Sequence, residues 1–353
     1  MYPALVVLQQ LGKDANPVLW VGGEGGMEED LVKRAGVPFT TIPAAGVHGV
    51  GIKALPGNVL RLVRGSLAAL KIVREFRPDV LLFTGGYVAA PMAVAGRRIP
   101  SLLYVPDIEP GLALKFLARY ATRIALTAEA GAEYFPNHDN TVVTGYPVRP
   151  ELKTWTRETG RAHLGLQPDL FTLLVTGGSK GAQTLNRPVL DILPELLREM
   201  QVVHISGQPD WQLVQETKEK LAPELAQRYH IMPYLHEMGA ALASADLAVS
   251  RAGASILGEY PLFGLPAILV PYPFAWRFQK VNADYAEKNG GAIRMDTETL
   301  PERLLPTIQR LARSGEALEQ MRAAMRAMAR PDAAEHLANL VRELKSASSD
   351  REK

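Results

Sequence analysis

Thr176-Gly177-Gly178-Ser179-Lys180-Gly181-Ala182 follows an apolar run, Phe171 to Val175, and precedes a helical pattern that begins near Gln183. A strand that delivers small residues to a helix start leaves backbone N–H groups unpaired there, at the positive end of the helix dipole. Those donors suit a phosphate or a diphosphate, although an ordinary turn between a strand and a helix is typical of the same residues.

A second segment of this kind lies further along the chain. Ser250-Arg251-Ala252-Gly253-Ala254-Ser255-Ile256-Leu257-Gly258-Glu259 follows the strand-like run from Ala245 to Val249. Two loop-to-helix starts at strand ends in the same half of the chain predict a ligand crevice.

Strands and helices alternate along the whole chain, which predicts an α/β protein with parallel sheets covered by helices on both faces. Ligands of such sheets bind at the carboxyl ends of the strands, where both loops lie. Met1 to Leu11 is predicted as a helix with Pro3 near its start. Further strands are predicted at 18–21, 80–83, 102–105, 123–126, 141–143, 171–175, 202–205, 231–233, 246–249 and 267–270, and helices at 27–35, 58–76, 111–120 and 333–344.

The proline-rich break Gly145-Tyr146-Pro147-Val148-Arg149-Pro150 is the best candidate for a domain boundary. It predicts an N-terminal Rossmann-like domain over 1–148 and a C-terminal one over 149–330, followed by a helix and polar tail over 331–353.

The composition narrows the classes of function. The chain has 353 residues, 47% of them hydrophobic and 22% charged, which is typical of a globular protein. It has no cysteine, and its seven histidines show no HxxxH or HExxH spacing, so neither a disulfide framework nor a metal site is expected. A net charge of +2 gives no reason to expect a nucleic-acid partner.

Three polar side chains of the C-terminal half suit a sugar or a ribose. Glu259 follows the second loop, and a carboxylate there can accept hydrogen bonds from two vicinal hydroxyls. Gln279 and Asn282 are three residues apart, so both can face one groove and pair with sugar hydroxyls. Each of the three is also compatible with an ordinary surface position.

Together these segments resemble the MurG family, the peptidoglycan glycosyltransferases. The resemblance runs in order through nearly the whole chain. It rests on Thr84–Val88, Gly145–Arg149, Gly177–Ala182, Arg251–Glu259, and Gln279 with Asn282 and Ala283. It implies a GT-B fold, two Rossmann-like domains whose parallel sheets face a central cleft, with the donor on the second domain and the acceptor against the first.

The activity that the resemblance implies is transfer of N-acetylglucosamine from UDP-GlcNAc to undecaprenyl-pyrophosphoryl-MurNAc-pentapeptide, lipid I to lipid II, with inversion and without a cofactor or metal. The alternatives are a non-catalytic UDP-sugar-binding protein, or a GT-B transferase or epimerase with a different acceptor. A dinucleotide oxidoreductase is disfavoured because Gly22-Gly23-Glu24-Gly25-Gly26 lacks the GxGxxG spacing.

The resemblance also implies roles for individual residues, while the catalytic base stays unassigned. Donor contacts are implied for Arg149 at the hinge, Ser179, Ala254 and Ser255 at the diphosphate, Glu259 at the ribose, Leu235 at the uracil, and Gln279 and Asn282 at the sugar. Acceptor contacts are implied for Gly85, Gly86, Tyr87 and Asp107.

The chain departs from the family pattern at its start and on the acceptor side. The family opens with a strand and a Gly-Gly-Thr-Gly-Gly-His loop that carries the candidate base, and this sequence begins just after that point. We therefore expect an upstream start codon, and we expect the present chain to be poorly active and prone to aggregation. Asp107 replaces an amide, Tyr146 an asparagine and Ile256 a threonine.

The segment from Lys53 to Arg77 combines basic residues with apolar positions at helical spacing. One interpretation is a core-facing helix with a solvated basic edge. The other is a surface that docks the protein on the cytoplasmic face of the cell membrane, as a peripheral protein with a lipid-linked acceptor would require.

Overall fold

The computed structural model describes residues 1–26, 28–43, 55–178, 182–272 and 278–349, without the side chains of 55–60, 348 and 349. The chain forms two compact units. The N-terminal unit comprises Met1–Pro147 and Asp332–Lys353, and the C-terminal unit comprises Val148–Pro331.

The C-terminal unit is built on six parallel strands, whose order across the sheet is β12-β11-β10-β7-β8-β9. The chain builds one side of the sheet from β7 through β9 and then crosses back to place β10 on the other side of β7. This reversal is a topological switch point between β7 and β10. The strands are β7 Thr172–Thr176, β8 Gln201–Ile205, β9 Tyr229–Met232, β10 Leu247–Ser250, β11 Ala267–Leu269 and β12 Ala292–Arg294.

Helices cover both faces of this sheet, and every residue of β7, β8, β10 and β11 is buried. Strands that are buried along their whole length are expected when both faces of a sheet are covered. The helices are α6 Arg157–Leu164, α7 Gln183–Asp191, α8 Leu193–Glu199, α9 Trp211–Glu219, α10 Pro223–Ala226, α11 Met238–Ser244, α12 Ile256–Phe263, α13 Phe278–Lys288, α14 Leu300–Arg313 and α15 Gly315–Ala327.

The strands of the N-terminal unit are also parallel and form two sheets, β1-β2 and β3-β4-β5-β6. Among the described residues, β1 and β3 each have one hydrogen-bonded neighbour. The strands are β1 Trp20–Gly23, β2 Phe39–Ile42, β3 Leu81–Phe83, β4 Ser101–Val105, β5 Arg123–Leu126 and β6 Thr141–Val143. The helices are α1 Tyr2–Leu11, α2 Glu29–Arg34, α3 Leu55–Phe76, α4 Ala89–Ala95, α5 Leu112–Ala118 and α16 Ala333–Ser349.

The last helix of the chain packs on the first. Val7 and Leu11 of α1 form one apolar cluster with Leu337 and Leu344 of α16 and with Tyr104 of β4. Across the described residues, no helix combines the length and the hydropathy that crossing a bilayer requires.

The α/β class predicted from the sequence is confirmed. The strands at 123–126 and 141–143 have the predicted bounds, and the other predicted strands are shifted by one or two residues. Two strands, β2 and β12, were not predicted from the sequence. The predicted helix over 27–35 is shorter, Glu29–Arg34, and Met27 lies outside the described residues.

Candidate functional site

The two glycine loops meet at the switch point of the C-terminal sheet. β7 and β10 are hydrogen-bonded neighbours, with Thr176 of β7 opposite Ser250 of β10, so the loops that follow them leave the sheet side by side. Ligands of parallel sheets bind in the crevice that opens where strand order reverses. The structure therefore brings together the two segments that the sequence analysis singled out separately.

Backbone is accessible on both sides of this crevice. Gly178 has a φ of +84°, a left-handed conformation that favours glycine, and a Cβ built there would meet no atom of the described residues within 4 Å. A Cβ at Gly253 would also meet none of their atoms within 4 Å. On the β10 side, the first backbone hydrogen bond of the helix start runs from the Ile256 N–H to the Gly253 carbonyl, at 3.1 Å. The N–H groups just before it lie at the positive end of α12.

Arg251 links the second loop to the first turn of α7. Its buried guanidinium donates to the Thr184 hydroxyl in the first turn of α7, and to the carbonyls of Val270 at 3.0 Å and Pro271 at 3.2 Å. Its guanidinium carbon also lies 5.3 Å from the centre of the Tyr272 ring. Arg251 belongs to the second loop, but no role could be predicted for it because its partners are far along the chain.

Glu259 lies on α12 within this crevice. Among the acids of the site, its carboxyl has the pKa that is shifted most. Burial raises the pKa of its carboxyl to about 7, while Arg149 and a hydrogen bond from Ser255 oppose the shift. A carboxyl group in these surroundings is ready to accept hydrogen bonds from a ligand, because each such bond favours its ionised form. The structure thus brings together three of the predicted donor residues, Arg149, Ser255 and Glu259.

Gln279 and Asn282 lie on α13, and both contact the segments that follow β10 and β11. The buried Asn282 amide donates to the Ala252 carbonyl at 3.1 Å. The Gln279 side-chain oxygen accepts from the Tyr272 N–H at 2.9 Å. Both amides therefore hold the loops around the crevice, and their contacts with a sugar stay predictions.

Leu235 and Ser179 are two further predicted donor residues. Leu235 is half-buried just after β9, beside Tyr234 and His236, whose rings meet edge to face at 4.8 Å. Ser179 lies outside the described residues, so its contact with a diphosphate stays a sequence prediction.

The predicted acceptor residues follow two neighbouring strands of the N-terminal unit. Gly85 and Gly86 come after β3 with positive φ values, +106° and +89°, and within the described part of the chain a Cβ at Gly86 would meet nothing within 4 Å. Tyr87 is 58% exposed. Asp107 is half-buried after β4, close enough to the buried Tyr104 to raise the pKa of its phenol, a smaller effect than burial itself. The predicted acceptor residues therefore lie at the carboxyl ends of β3 and β4.

Family comparisons match two separate segments of the chain. Residues 1–126 match the glycosyltransferase family 28 N-terminal domain, and residues 172–337 match the family 28 C-terminal domain. A solved structure titled Acinetobacter baumannii MurG superposes with a TM-score of 0.75 at 25% identity, over 97% of this chain and 95% of that one. The fold is therefore GT-B, two Rossmann-like domains, and the class of protein is a family 28 glycosyltransferase.

Curated relatives give the finer assignment. One from Roseiflexus sp. (strain RS-1) is 39% identical over 92% of this chain and 83% of its own length. One from Desulforudis audaxviator is 36% identical over 98% of this chain and 95% of its own length. Both are named UDP-N-acetylglucosamine--N-acetylmuramyl-(pentapeptide) pyrophosphoryl-undecaprenol N-acetylglucosamine transferase. The chain belongs to this family, the MurG family, as the sequence analysis predicted.

Proposed function

We propose that this chain transfers N-acetylglucosamine from UDP-GlcNAc to undecaprenyl-pyrophosphoryl-MurNAc-pentapeptide in peptidoglycan synthesis. The observation that carries the proposal is the crevice at the β7/β10 switch point. It combines two loop-to-helix starts with one carboxylate, Glu259, a set of groups that suits a diphosphate and a ribose. The names of the curated relatives support the same donor and acceptor.

In this proposal, each part of the site has a separate task. The N–H groups around Ala254 and Ser255, with those at the start of α7, bind the diphosphate. Glu259 accepts hydrogen bonds from the ribose hydroxyls, and the backbone at Leu235 contacts the uracil. Arg149 and the helix N-termini stabilise the negative charge that develops on the departing UDP. Gln279 and Asn282 orient the donor sugar, either directly or through the loops that they hold.

A transfer assay tests the proposal. The protein is incubated with UDP-GlcNAc and the lipid-linked acceptor in detergent micelles, and both the glycosylated lipid and the released UDP are measured. The proposal predicts equal amounts of the two products. Binding of UDP-GlcNAc without transfer would support a UDP-sugar-binding protein instead, and release of UDP without glycosylated lipid would indicate a different acceptor.

The affinity for UDP-GlcNAc should rise with pH because of Glu259. Its pKa of about 7 in the free protein means that it is mostly protonated near pH 6 and mostly ionised near pH 8. Hydrogen bonds from the ribose favour the ionised form, so the affinity should increase by up to about tenfold over this interval. UDP-GlcNAc is the right probe because its phosphates are both diesters and do not titrate there.

Glu259→Gln is the matched control, because an amide keeps the shape but does not titrate. Isothermal titration should show an almost flat pH profile for this variant. An equally steep profile in Glu259→Gln would show that a group other than Glu259 causes the pH dependence.

We also propose that the N-terminal unit docks on an anionic bilayer through the outer face of α3. Val63, Leu67 and Leu70 form a stripe on this face and are 53%, 64% and 37% exposed. One of the two interpretations of the sequence placed the apolar positions of this segment against the core. On α3, Ala69 is buried and Leu62 is half-buried, whereas the stripe is exposed. Arg64, Lys71 and Arg74 are exposed basic side chains beside the stripe, and Arg61 is exposed elsewhere on the helix. Lys53 and the side chain of Val59 lie outside the described residues.

Apolar side chains flanked by basic ones suit the interface of a bilayer with anionic headgroups. The cytoplasmic leaflet carries such lipids and attracts basic residues by about 1 kcal/mol each near the surface. We therefore place the docking surface on the cytoplasmic face of the membrane, where the lipid-linked acceptor would be reached.

Charge reversal of Arg64, Lys71 and Arg74 to glutamate should weaken binding to vesicles of anionic lipid at least tenfold in a sedimentation assay. A second triple variant, with the exposed Arg303, Arg310 and Lys220 reversed, changes the net charge by the same amount elsewhere and should bind nearly as the native protein does. Equal losses in both variants would mean that net charge alone governs binding and that α3 is not the docking surface.

A further inference from the structure

A line of buried side chains runs beneath the first turn of α7. His204 of β8 lies at its centre, with its Nδ1 2.7 Å from the Tyr229 hydroxyl of β9 and its Nε2 3.0 Å from Oδ1 of Asn186 on α7. All three residues are 0% exposed. The Asn186 amide nitrogen donates onward to the Ser206 carbonyl at 2.9 Å and to Oδ2 of Asp210 at 2.7 Å.

The direction of every hydrogen bond in this line is determined. Burial lowers the pKa of His204 to about 3, so its ring is neutral and has one donor and one acceptor nitrogen. Because Oδ1 of Asn186 can only accept, Nε2 of His204 carries the proton and donates. Nδ1 must then accept, and the Tyr229 hydroxyl donates to it. Both amide protons of Asn186 are used as well, so the line has a single satisfied arrangement.

The first turn of α7 needs such an anchor. Pro188 lies inside this helix and has no N–H, so the backbone hydrogen bond that would end at the Thr184 carbonyl is missing. The turn is instead held by side chains from two sides. Arg251 donates to the Thr184 hydroxyl, and the line through His204 holds Asn186.

We propose that Asn186, His204 and Tyr229 are positioning residues that fix the first turn of α7 for the diphosphate of the donor. The inference rests on the proposed function, because it assumes that UDP binds at the switch point. None of the three residues touches the nucleotide. They act by holding the helix start at a fixed distance from the second loop, where a diphosphate must contact both.

The test compares UDP with uridine, which lacks the diphosphate. Asn186→Leu removes the amide at similar volume and should lower the affinity for UDP about tenfold while changing that for uridine less than about twofold. The binding of both compounds can be followed by ligand-observed NMR. The matched control is Gln201→Leu, on the same strand as His204 and equally buried, but hydrogen-bonded to Gln167 and Thr172 at the opposite end of the sheet.

Gln201→Leu should lose stability to a similar degree but keep both affinities. Tyr229→Phe, which removes one hydroxyl and keeps the packing, should weaken UDP binding about threefold. His204→Gln, whose amide can both donate and accept, should restore much of the UDP affinity that His204→Leu loses.

Parallel losses for UDP and uridine in Asn186→Leu, or unchanged UDP affinity in both Asn186→Leu and Tyr229→Phe, would overturn the inference. Neither result would affect the proposed function, which is tested separately by the binding of UDP to the native protein and by the transfer assay.

Discussion

Replacing Glu259 with alanine should weaken the binding of UDP by about 30-fold to 100-fold. The carboxylate is expected to accept hydrogen bonds from the ribose, and hydrogen bonds to charged groups contribute about 1.5–3 kcal/mol each. It lies in the first turn of α12, directly after the loop that is expected to hold the diphosphate. Isothermal titration of the native and variant proteins with UDP measures the difference.

A second ligand separates the contact with the ribose from a general disturbance of the crevice. If Glu259 accepts from the 2′-hydroxyl, 2′-deoxy-UDP should bind the native protein more weakly than UDP does. The Glu259→Ala variant should then bind the two nucleotides almost equally, because the partner of the hydroxyl is already gone. Additive losses would show that the carboxylate and the hydroxyl do not interact, which would contradict the assigned role.

Replacing Asp246 with alanine should lower the free energy of unfolding by about 3–5 kcal/mol, because it leaves a buried guanidinium without its counter-ion. The Asp246 carboxylate lies just before β10 and accepts from Nη2 of Arg161 at 2.9 Å and from the Thr172 N–H at 2.8 Å. The Arg161 side chain is only 4% exposed. Urea unfolding, extrapolated linearly to water, gives the difference in stability.

Arg157→Ala provides the control for this stability effect. Its guanidinium contacts the same carboxylate at 2.5 Å, but its side chain is 41% exposed, so its loss should cost at most about 1 kcal/mol. Because Asp246 lies at the amino end of the strand and the crevice at the carboxyl end, the folded Asp246→Ala protein should keep its affinity for UDP. If Asp246→Ala lowered the free energy of unfolding by less than about 1 kcal/mol, the stabilising role of Asp246 would be contradicted. A large loss of affinity for UDP in the folded variant would contradict the separation of this ion pair from the crevice.

The sequence was most informative where the residues of the site are consecutive in the chain. Both glycine loops were recognised because strand, small residues and helix start are consecutive in the chain, and the α/β class followed from the regular alternation. Glu259 could be selected because its spacing from Gly253 places it early in α12. The order of the strands was not predicted, so the meeting of the two loops at the switch point emerged only from the fold.

Contacts between distant residues could not be predicted in the same way. The Thr184 hydroxyl pairs with Arg251, and Asn186 with His204, because helix packing brings them together, and no local pattern marks such pairs. The periodicity of the sequence also could not identify the outer face of α3. The spacing of Val63 and Leu67 indicates a helix, but apolar residues on two adjoining faces do not reveal which face the core covers.

A crystal structure of the protein grown with UDP tests the central claim most directly. We expect the diphosphate against the N–H groups at the starts of α7 and α12, and the ribose hydroxyls within hydrogen-bond distance of the Glu259 carboxylate. An empty crevice at a UDP concentration that saturates the protein in solution, or UDP bound at another place, would contradict the assignment of this site.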